Sequence, residues 1–240
     1  MSSCVFMFFP NFSYEKKLWQ KGFRLVVGVD EVGRGAFAGP IVVGAVIWPR
    51  PNKLKTEDIK LKKLNQLGIN DSKLLKPRTR EQLANEIKEK ALAWDVTGVE
   101  VSVINRIGIG KATEKAMRKT IGDLMRKLEC EVGSEMFVLL DYFYVPYLRG
   151  VGKSRQLGIK RGDQKSFSIA AASILAKVHR DKFMRSLAKK PRYKKYLWGK
   201  NKGYGTKVHR KAILRYGLTR YHRKQFVESW RGKRDGKNLD

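Results

Sequence analysis

The chain has 240 residues and a 42% apolar fraction, enough for one sizeable core and too apolar for a disordered polypeptide. Its 52 Lys and Arg against 22 Asp and Glu give a net charge of +30, which points to a polyanionic partner, nucleic acid before an anionic membrane surface. Two cysteines (Cys4, Cys130) and three scattered histidines (His179, His209, His222) exclude a disulfide framework and a zinc set, and read as an intracellular, reduced protein.

In chain order, residues 1–24 form a start segment with a short helix over 14–20, ended by Gly22. The apolar stretch Cys4-Val5-Phe6-Met7-Phe8-Phe9 lacks a basic lead and a small-residue cleavage site, so a signal peptide is not expected. No apolar run approaches the ~20 residues that span a bilayer. Leu25-Val26-Val27 and the run from Ile41 to Trp48 predict two strands, paired as a hairpin, on either side of a polar, glycine-rich stretch. A Pro- and Lys-rich connection follows over 49–63. A polar loop from Gly68 to Pro77 then leads into a helix capped at or just before Thr79, with Leu83, Ile87, Ala91 and Trp94 as its apolar stripe.

Residues 95–104 alternate as a strand, and 111–129 carry a helical stripe. Met136-Phe137-Val138-Leu139-Leu140-Asp141 has the form of a strand buried on both faces. A loop over 142–154, a short strand near 157–160, a turn at 162–166 and a helix over 168–189 complete the pattern. Strands alternating with helices, without an internal repeat, indicate an α/β fold with a mixed sheet. From Lys177 onward, 22 Lys and Arg stand against 4 Asp and Glu, so +18 of the total charge lies in the last quarter. That quarter reads as a basic, partly helical region whose aromatics are available to stack on sugars or bases.

The chemistry is concentrated where the first strand ends, in Gly28-Val29-Asp30-Glu31-Val32-Gly33-Arg34-Gly35. Two adjacent acids at the end of a buried strand are costly unless a cation sits on them. Asp141 ends a second apolar strand. If the two strands are parallel neighbours, Asp30 and Asp141 emerge at one sheet edge, where ligands of open α/β sheets sit. Carboxylates placed so suit Mg²⁺-like hard cations, and two such ions can hold both oxygens of a phosphodiester displacement. Glu31 would point away from Asp30 on a regular strand, so it is expected past the strand end. Asp163 is open between a helix cap and a fourth carboxylate of the cluster. Gly33-Arg34-Gly35 is either a plain hairpin loop or a loop whose exposed N–H groups and single cation receive a phosphate or a ribose hydroxyl. Tyr204, in Gly203-Tyr204-Gly205-Thr206, is either a packed tyrosine or a working aromatic in the most basic region.

Two near misses carry nothing. Gly152-Lys153-Ser154 resembles the end of a P-loop, but the required first glycine falls on Tyr147. Gly108-Ile109-Gly110 does not complete a dinucleotide fingerprint, because Thr113 stands where glycine or alanine belongs.

Five blocks in order resemble ribonuclease HII. They are the stretch from Gly28 to Gly35 with Ala38-Gly39-Pro40; Asn70-Asp71-Ser72-Lys73; Val138-Leu139-Leu140-Asp141; Gly162-Asp163 with the segment from Ser168 to Asp181; and Gly203-Tyr204-Gly205-Thr206 with His209, Gly217-Leu218-Thr219 and His222-Arg223. The resemblance implies a ribonuclease H-like mixed sheet flanked by helices, with a basic helical C-terminal extension. It divides the chain into an extension at 1–24, a catalytic domain at 25–190 and a basic helical region at 191–240. It implies an endonuclease that cuts the RNA strand of RNA–DNA hybrids and nicks 5′ of ribonucleotides embedded in duplex DNA, leaving 5′-phosphate and 3′-hydroxyl ends. By position, Asp30, Glu31, Asp141 and Asp163 match the family's catalytic, metal-binding acids, with Mn²⁺ or Mg²⁺ as the cofactor. Gly33, Arg34 and Gly35 match the loop that reads the ribose 2′-hydroxyl. Lys73 matches a phosphate-contacting lysine, and Tyr204 a tyrosine stacked on a sugar. The enzyme is expected as a cytoplasmic monomer, away from membranes, in ribonucleotide removal from DNA. The related ribonuclease HIII carries an additional N-terminal domain, and the Gly-Arg-Gly signature favours HII. Two features depart from the family pattern: Tyr142-Phe143-Tyr144 follows Asp141 where many relatives have glycine, and the charge of +30 is high, which raises non-specific affinity and salt dependence. The alternative is a non-catalytic nucleic-acid-binding protein in which the acids are caps; acids beside phosphates argue against it unless a metal intervenes.

Overall fold

A computed structural model describes residues 9–51, 59–129 and 135–235. Cys4 and Cys130 lie outside the described residues, as does most of the apolar N-terminal stretch. The elements run α1 (Ser13–Gln20), β1 (Leu25–Val32), β2 (Ile41–Ile47), α2 (Ile59–Asn65), α3 (Pro77–Lys90), β3 (Ala93–Val99), α4 (Val101–Ile107), α5 (Ile109–Lys127), β4 (Met136–Asp141), β5 (Gln156–Ile159), α6 (Phe167–Lys189), α7 (Pro191–Lys194), α8 (Trp198–Asn201), α9 (Lys207–Tyr216) and α10 (Lys224–Asp235). The five strands form one sheet in the order β3-β2-β1-β4-β5, flanked by helices. The expected α/β class with a mixed sheet is the observed one. Two compact units divide the chain, one built from Met1–Asp30, Val43–Thr97 and Met117–Val178, the other from Glu31–Val42, Gly98–Ala116 and His179–Asp240.

In the first unit, β1 and β4 are parallel neighbours, with Leu25 opposite Met136 and Val29 opposite Leu140. Both are continuous apolar runs, and β4 buries Met136 through Leu140. That pattern is the one a strand covered on both faces requires. Strand β5 continues the parallel ladder, pairing Asp141 with Ile159. The α6 segment from Phe167 to Val178 is small and apolar, and Ile169, Ala170, Ala171, Ala172 and Ile174 are wholly buried. Its close approach to β1 needs Gly28, where a Cβ would lie 2.2 Å from the Ser168 carbonyl carbon. The N-terminal segment belongs to this core. Phe12 packs on Phe167 with ring centres 4.4 Å apart, and Glu15 is buried, accepting from Ser166 Oγ at 2.6 Å and the Ser168 N–H at 2.9 Å. Burial raises the Glu15 pKa, and those donors offset it in part.

The second unit holds the last turns of the chain. Tyr193, Tyr196 and Trp198 are buried with Met184 and Leu187, and a smaller cluster joins Phe37, Ile213 and Val227. For Tyr193, Tyr196 and Trp198 this corrects the reading of the basic quarter's aromatics as stacking groups, while Tyr204 and Tyr216 stay exposed. Trp198 stacks on Tyr196 and Tyr193 at 5.2 and 5.4 Å, so these rings are core.

Three local expectations also change. The alternation over 95–104 is cut at Glu100, where α4 begins and buries Val101 and Ile104 three residues apart. Helix α3 starts earlier than Thr79, with Pro77 at its first position and Lys76 preceding it, an arrangement that suits proline's fixed φ. Its stripe also ends sooner, because Ala91 is the C-cap and Trp94 belongs to β3. Part of the connection at 49–63 is helical, as α2.

Candidate active site

Because Val29 sits opposite Leu140 in a parallel ladder, the next residues, Asp30 and Asp141, end up at the same edge of the sheet. The condition set by the sequence is met. Asp141 Oδ1 accepts the Gly162 N–H at 2.7 Å, which fastens the short turn carrying Asp163 to the end of β4. Backbone bonds from Ser166 and Lys165 to the Gly162 carbonyl close that turn. Asp163 lies within the single 3₁₀ turn Gly162–Gln164, whose N-cap is Arg161, and has Asp71 and Asp141 near it. Asp30, Asp71 and Asp163 are each only 5% exposed.

Lys73 stands among these acids. Its Nζ is 3.6 Å from Asp163 Oδ2. Partial desolvation works against its charge, but Asp163, Asp71, Asp30 and Asp141 together raise its pKa. Asp163 is held above the usual carboxylate range by burial first, then by the negative charges of Asp71 and Asp141, against the lowering pull of Lys73. Asp71 is the acid that sequence reasoning missed as a site residue. It lay inside the quoted Asn70-Asp71-Ser72-Lys73 block, and its Oδ1 accepts the Lys73 N–H at 2.9 Å while Oδ2 accepts from Gln164 at 3.2 Å. Only the fold shows that this loop meets the Asp163 turn.

Among the described residues, no group of three or more His, Cys, Asp or Glu side chains is arranged to hold a metal ion. The chemistry of the donor set nevertheless fits a hard cation: carboxylates only, mostly buried, mutually repelling, with an ammonium drawn into their field.

The second unit carries the other predicted residues. Strand β1 continues through Glu31 to Val32, which corrects the expectation that Glu31 lies past the strand end. Glu31 Oε1 is 3.5 Å from Arg34 Nη1. Gly33, Arg34 and Gly35 sit in a loop built from its backbone outward. Ala36 bridges Tyr204, Ala38 bridges His222, and the N–H groups of Phe37 and Ala38 both reach the Gly203 carbonyl, at 2.9 and 3.0 Å. The Gly-Arg-Gly loop and Tyr204 are thus neighbours within this unit.

Two buried arginines hold that loop, and the sequence reading did not single them out for this role. Arg180 donates to Pro40, Ala38 and Lys202 carbonyls at 2.9–3.0 Å. Arg223 donates twice to Gly39 O, at 3.0 and 2.9 Å, and once to Arg34 O at 2.8 Å. Burial pushes the Arg223 pKa down to about 9, with Arg180's charge adding to the effect, which still leaves it cationic at neutral pH. Gly33, at φ +93°, is required twice over, since a Cβ there would lie 2.1 Å from Arg180 Nε. The Arg180 guanidinium also lies over the Tyr204 ring, 5.4 Å from its centre.

Beneath Tyr204 runs a histidine pair. Trp198 Nε1 donates to His209 Nε2 at 3.0 Å, and the Thr219 N–H donates to His222 Nδ1 at 2.9 Å. Those two bonds fix the tautomers: His222 Nε2–H donates to His209 Nε2 at 3.2 Å, and His209 Nδ1–H donates to the Tyr204 carbonyl at 2.9 Å. Both rings are neutral. Burial, and then His209, lower the His222 pKa to about 3, and burial lowers that of His209.

The model of the family described as Ribonuclease HII matches residues 27–231. The chain belongs to the ribonuclease HII family. It is 42% identical over 215 residues to a ribonuclease HII of Caldanaerobacter subterraneus subsp. tengcongensis, covering 90% of this chain and 79% of that one. It is 41% identical to that of Bacillus subtilis, covering 91% and 76%. Solved structures share the fold: the ribonuclease HII of an Archaeoglobus fulgidus complex with PCNA (TM-score 0.61, 24% identity, 84% and 94% covered) and Bst-RNase HIII in complex with Mn²⁺ (TM-score 0.64, 21% identity, 88% and 70% covered). As a ribonuclease HII, the chain is a ribonuclease H-type hydrolase, an endonuclease of RNA–DNA hybrids.

Proposed function

We propose that this ribonuclease HII also nicks duplex DNA 5′ of a single embedded ribonucleotide, leaving 5′-phosphate and 3′-hydroxyl ends, as a cytoplasmic monomer serving ribonucleotide removal. The observation that carries the assignment of the centre is the β1–β4 register, which sends Asp30 and Asp141 out at one sheet edge beside the Asp163 turn. Asp30, Glu31, Asp141 and Asp163 are the residues that would hold Mn²⁺ or Mg²⁺, and the Mn²⁺ of the HIII relative supports that choice. When bound, the cation supplies positive charge against the phosphodiester and eases deprotonation of the attacking water. The chain's own part is positional. Asp163, whose pKa burial and its acidic neighbours raise, is favoured in its charged form by a cation, and the ammonium of Lys73, 3.6 Å from Asp163 Oδ2, is a charge placed for a phosphate. Gly33-Arg34-Gly35, kept in one conformation by Arg180 and Arg223, reads the ribose 2′-hydroxyl with its N–H groups and Arg34. Tyr204, fixed through its carbonyl by His209 and over its ring by Arg180, packs on the adjoining sugar.

A duplex with one embedded ribonucleotide tests this reading, incubated with Mn²⁺ or Mg²⁺ and then with a chelator. The expected result is a metal-dependent nick 5′ of the ribonucleotide that Asp30→Asn abolishes while binding persists. A nick that survives chelation, or full activity in Asp30→Asn, overturns it. No nick with binding intact restores the non-catalytic reading of the acids.

A further inference from the structure

The loop that follows Asp141 is built to present three tyrosines. Tyr142, Tyr144 and Tyr147 are 70%, 47% and 94% exposed, whereas Val145, Leu148 and Val151 between and beside them are buried. The backbone is not left to wander. The Gln156 side-chain amide clasps Val145, accepting its N–H at 2.8 Å and donating to its carbonyl at 3.1 Å. Tyr142 N–H donates to the Ile159 carbonyl at 3.0 Å, and Arg118 donates to the Pro146 carbonyl at 2.7 Å. Tyr142 and Tyr147 take left-handed backbone angles, φ +81° and +56°, which cost free energy in bulky residues. A loop that buries its aliphatic side chains, bonds its backbone and turns its rings outward against that cost is preorganised to meet something flat.

The surroundings name the chemistry. Beside Tyr147 opens a groove of about 880 Å³ whose lining includes Arg118, Lys119, Arg126 and Arg149 as well as apolar side chains; its one acid, Asp123, pairs with Lys119 at 2.6 Å and with Arg126. Lys153 lies over the Tyr144 ring at 5.0 Å. Exposed rings interleaved with cations are what an unpaired nucleic-acid strand requires: base faces stack on the rings while phosphates follow the basic groove. A duplex offers no free base faces, and an acidic protein would satisfy the cations without using the rings.

We propose that this face, continuous in sequence with Asp141, binds a single-stranded segment, an unpaired tail of the nucleic-acid substrate. The proposal rests on the nucleic-acid reading above and adds a substrate class to it: hybrids and ribonucleotide-containing duplexes with a single-stranded overhang.

The test uses the full chain and a fluorescein-labelled 12-residue oligothymidylate, with anisotropy read over a salt series. Tyr144→Ala and Tyr147→Ala should each weaken binding at least about fivefold, within the roughly 5- to 150-fold range of a lost stacked base. Tyr147→Phe keeps the ring and should bind within about twofold of wild type, which separates stacking from loop collapse. Arg149→Gln should lower the salt dependence. Nicking of a blunt duplex should be unchanged in all four variants, while any advantage of a tailed duplex is lost in the alanine variants. Wild-type affinity in both alanine variants overturns the proposal. So does displacement of the oligonucleotide by polyglutamate as readily as by unlabelled oligothymidylate, which would mark a face for acidic protein. A wild type that fails to nick yet shows the tyrosine-dependent binding overturns the function proposed above and leaves this one standing.

Discussion

The two units bury charge in opposite ways. In the first, Asp163 is buried beside the negative charges of Asp71 and Asp141, which make it harder to ionise, and the answering charge is the ammonium of Lys73. In the second, Arg180 and Arg223 are as deeply buried, and they donate to the neutral backbone carbonyls of Pro40, Lys202, Ala38, Gly39 and Arg34. The arginines meet fixed acceptors, although burial and, for Arg223, the charge of Arg180 lower their pKa values, whereas Asp163 has two acids beside it. Glu15, in the same first unit, is a buried acid that takes an N–H and a hydroxyl from the start of α6 on one oxygen, and burial still raises its pKa. The contrast teaches how to tell a working charge from a structural one. A structural charge is met by fixed neutral dipoles, whereas a working one is left in a field that only a transferable cation relieves.

That contrast can be broken first at Asp141. Asp141→Asn should lower hybrid cleavage by about a thousandfold or more, roughly 4 kcal/mol on the barrier. Its urea midpoint should stay level or rise, since a repelling charge is gone. A large loss of stability with the loss of activity would make the acid structural. Arg223→Met should act first on stability. Gly39 and Arg34 carbonyls lose their donors, which costs about 3 kcal/mol and lowers the melting temperature by roughly 10 °C in a chain of this size.

The histidine pair sharpens the second half of the contrast. His222, at about 3 in the fold, refuses a proton that the unfolded chain accepts near its ordinary 6.5. Stability should therefore be complete above about pH 6.5 and fall as pH drops toward 3, by up to about 1.4 kcal/mol per pH unit for this group. Urea unfolding at a series of pH values reads that slope, and a flat profile would show the pair is not buried neutral in solution. The smallest effect is expected at Asp71. Asp71→Asn removes a negative neighbour of Asp163, so the acid limb of the cleavage profile should move to lower pH; a shift upward or none would remove Asp71 from the cluster.

Much of the first unit was legible in the sequence. Apolar runs that lead into aspartate mark β1 and β4, and parallel pairing brings Asp30 and Asp141 to one sheet edge, although β1 runs on to Val32. The small residues of α6 announce a close approach. The second unit was less legible, for a physical reason. Its order comes from guanidinium-to-carbonyl bonds that leave no periodic trace, so Arg180 and Arg223 read as two of 52 cations. Tyr193, Tyr196 and Trp198 were misread as surface groups because in a basic segment tyrosine and tryptophan suit a core and a stacking face equally well. Glu31 was displaced for a similar reason: nothing in Asp30-Glu31-Val32-Gly33 says whether the strand stops before or after the second acid.

The parallel ladder between β1 and β4 also makes specific activity a meter of strand register. A slip by a single residue would exchange Asp141 for Leu140 or Tyr142 at the sheet edge while leaving much of the apolar burial intact. Such a molecule would pass a test of compactness and fail a test of cleavage. In any refolding or expression trial of this protein, the ratio of turnover to folded mass counts the molecules whose two central strands are aligned to the residue.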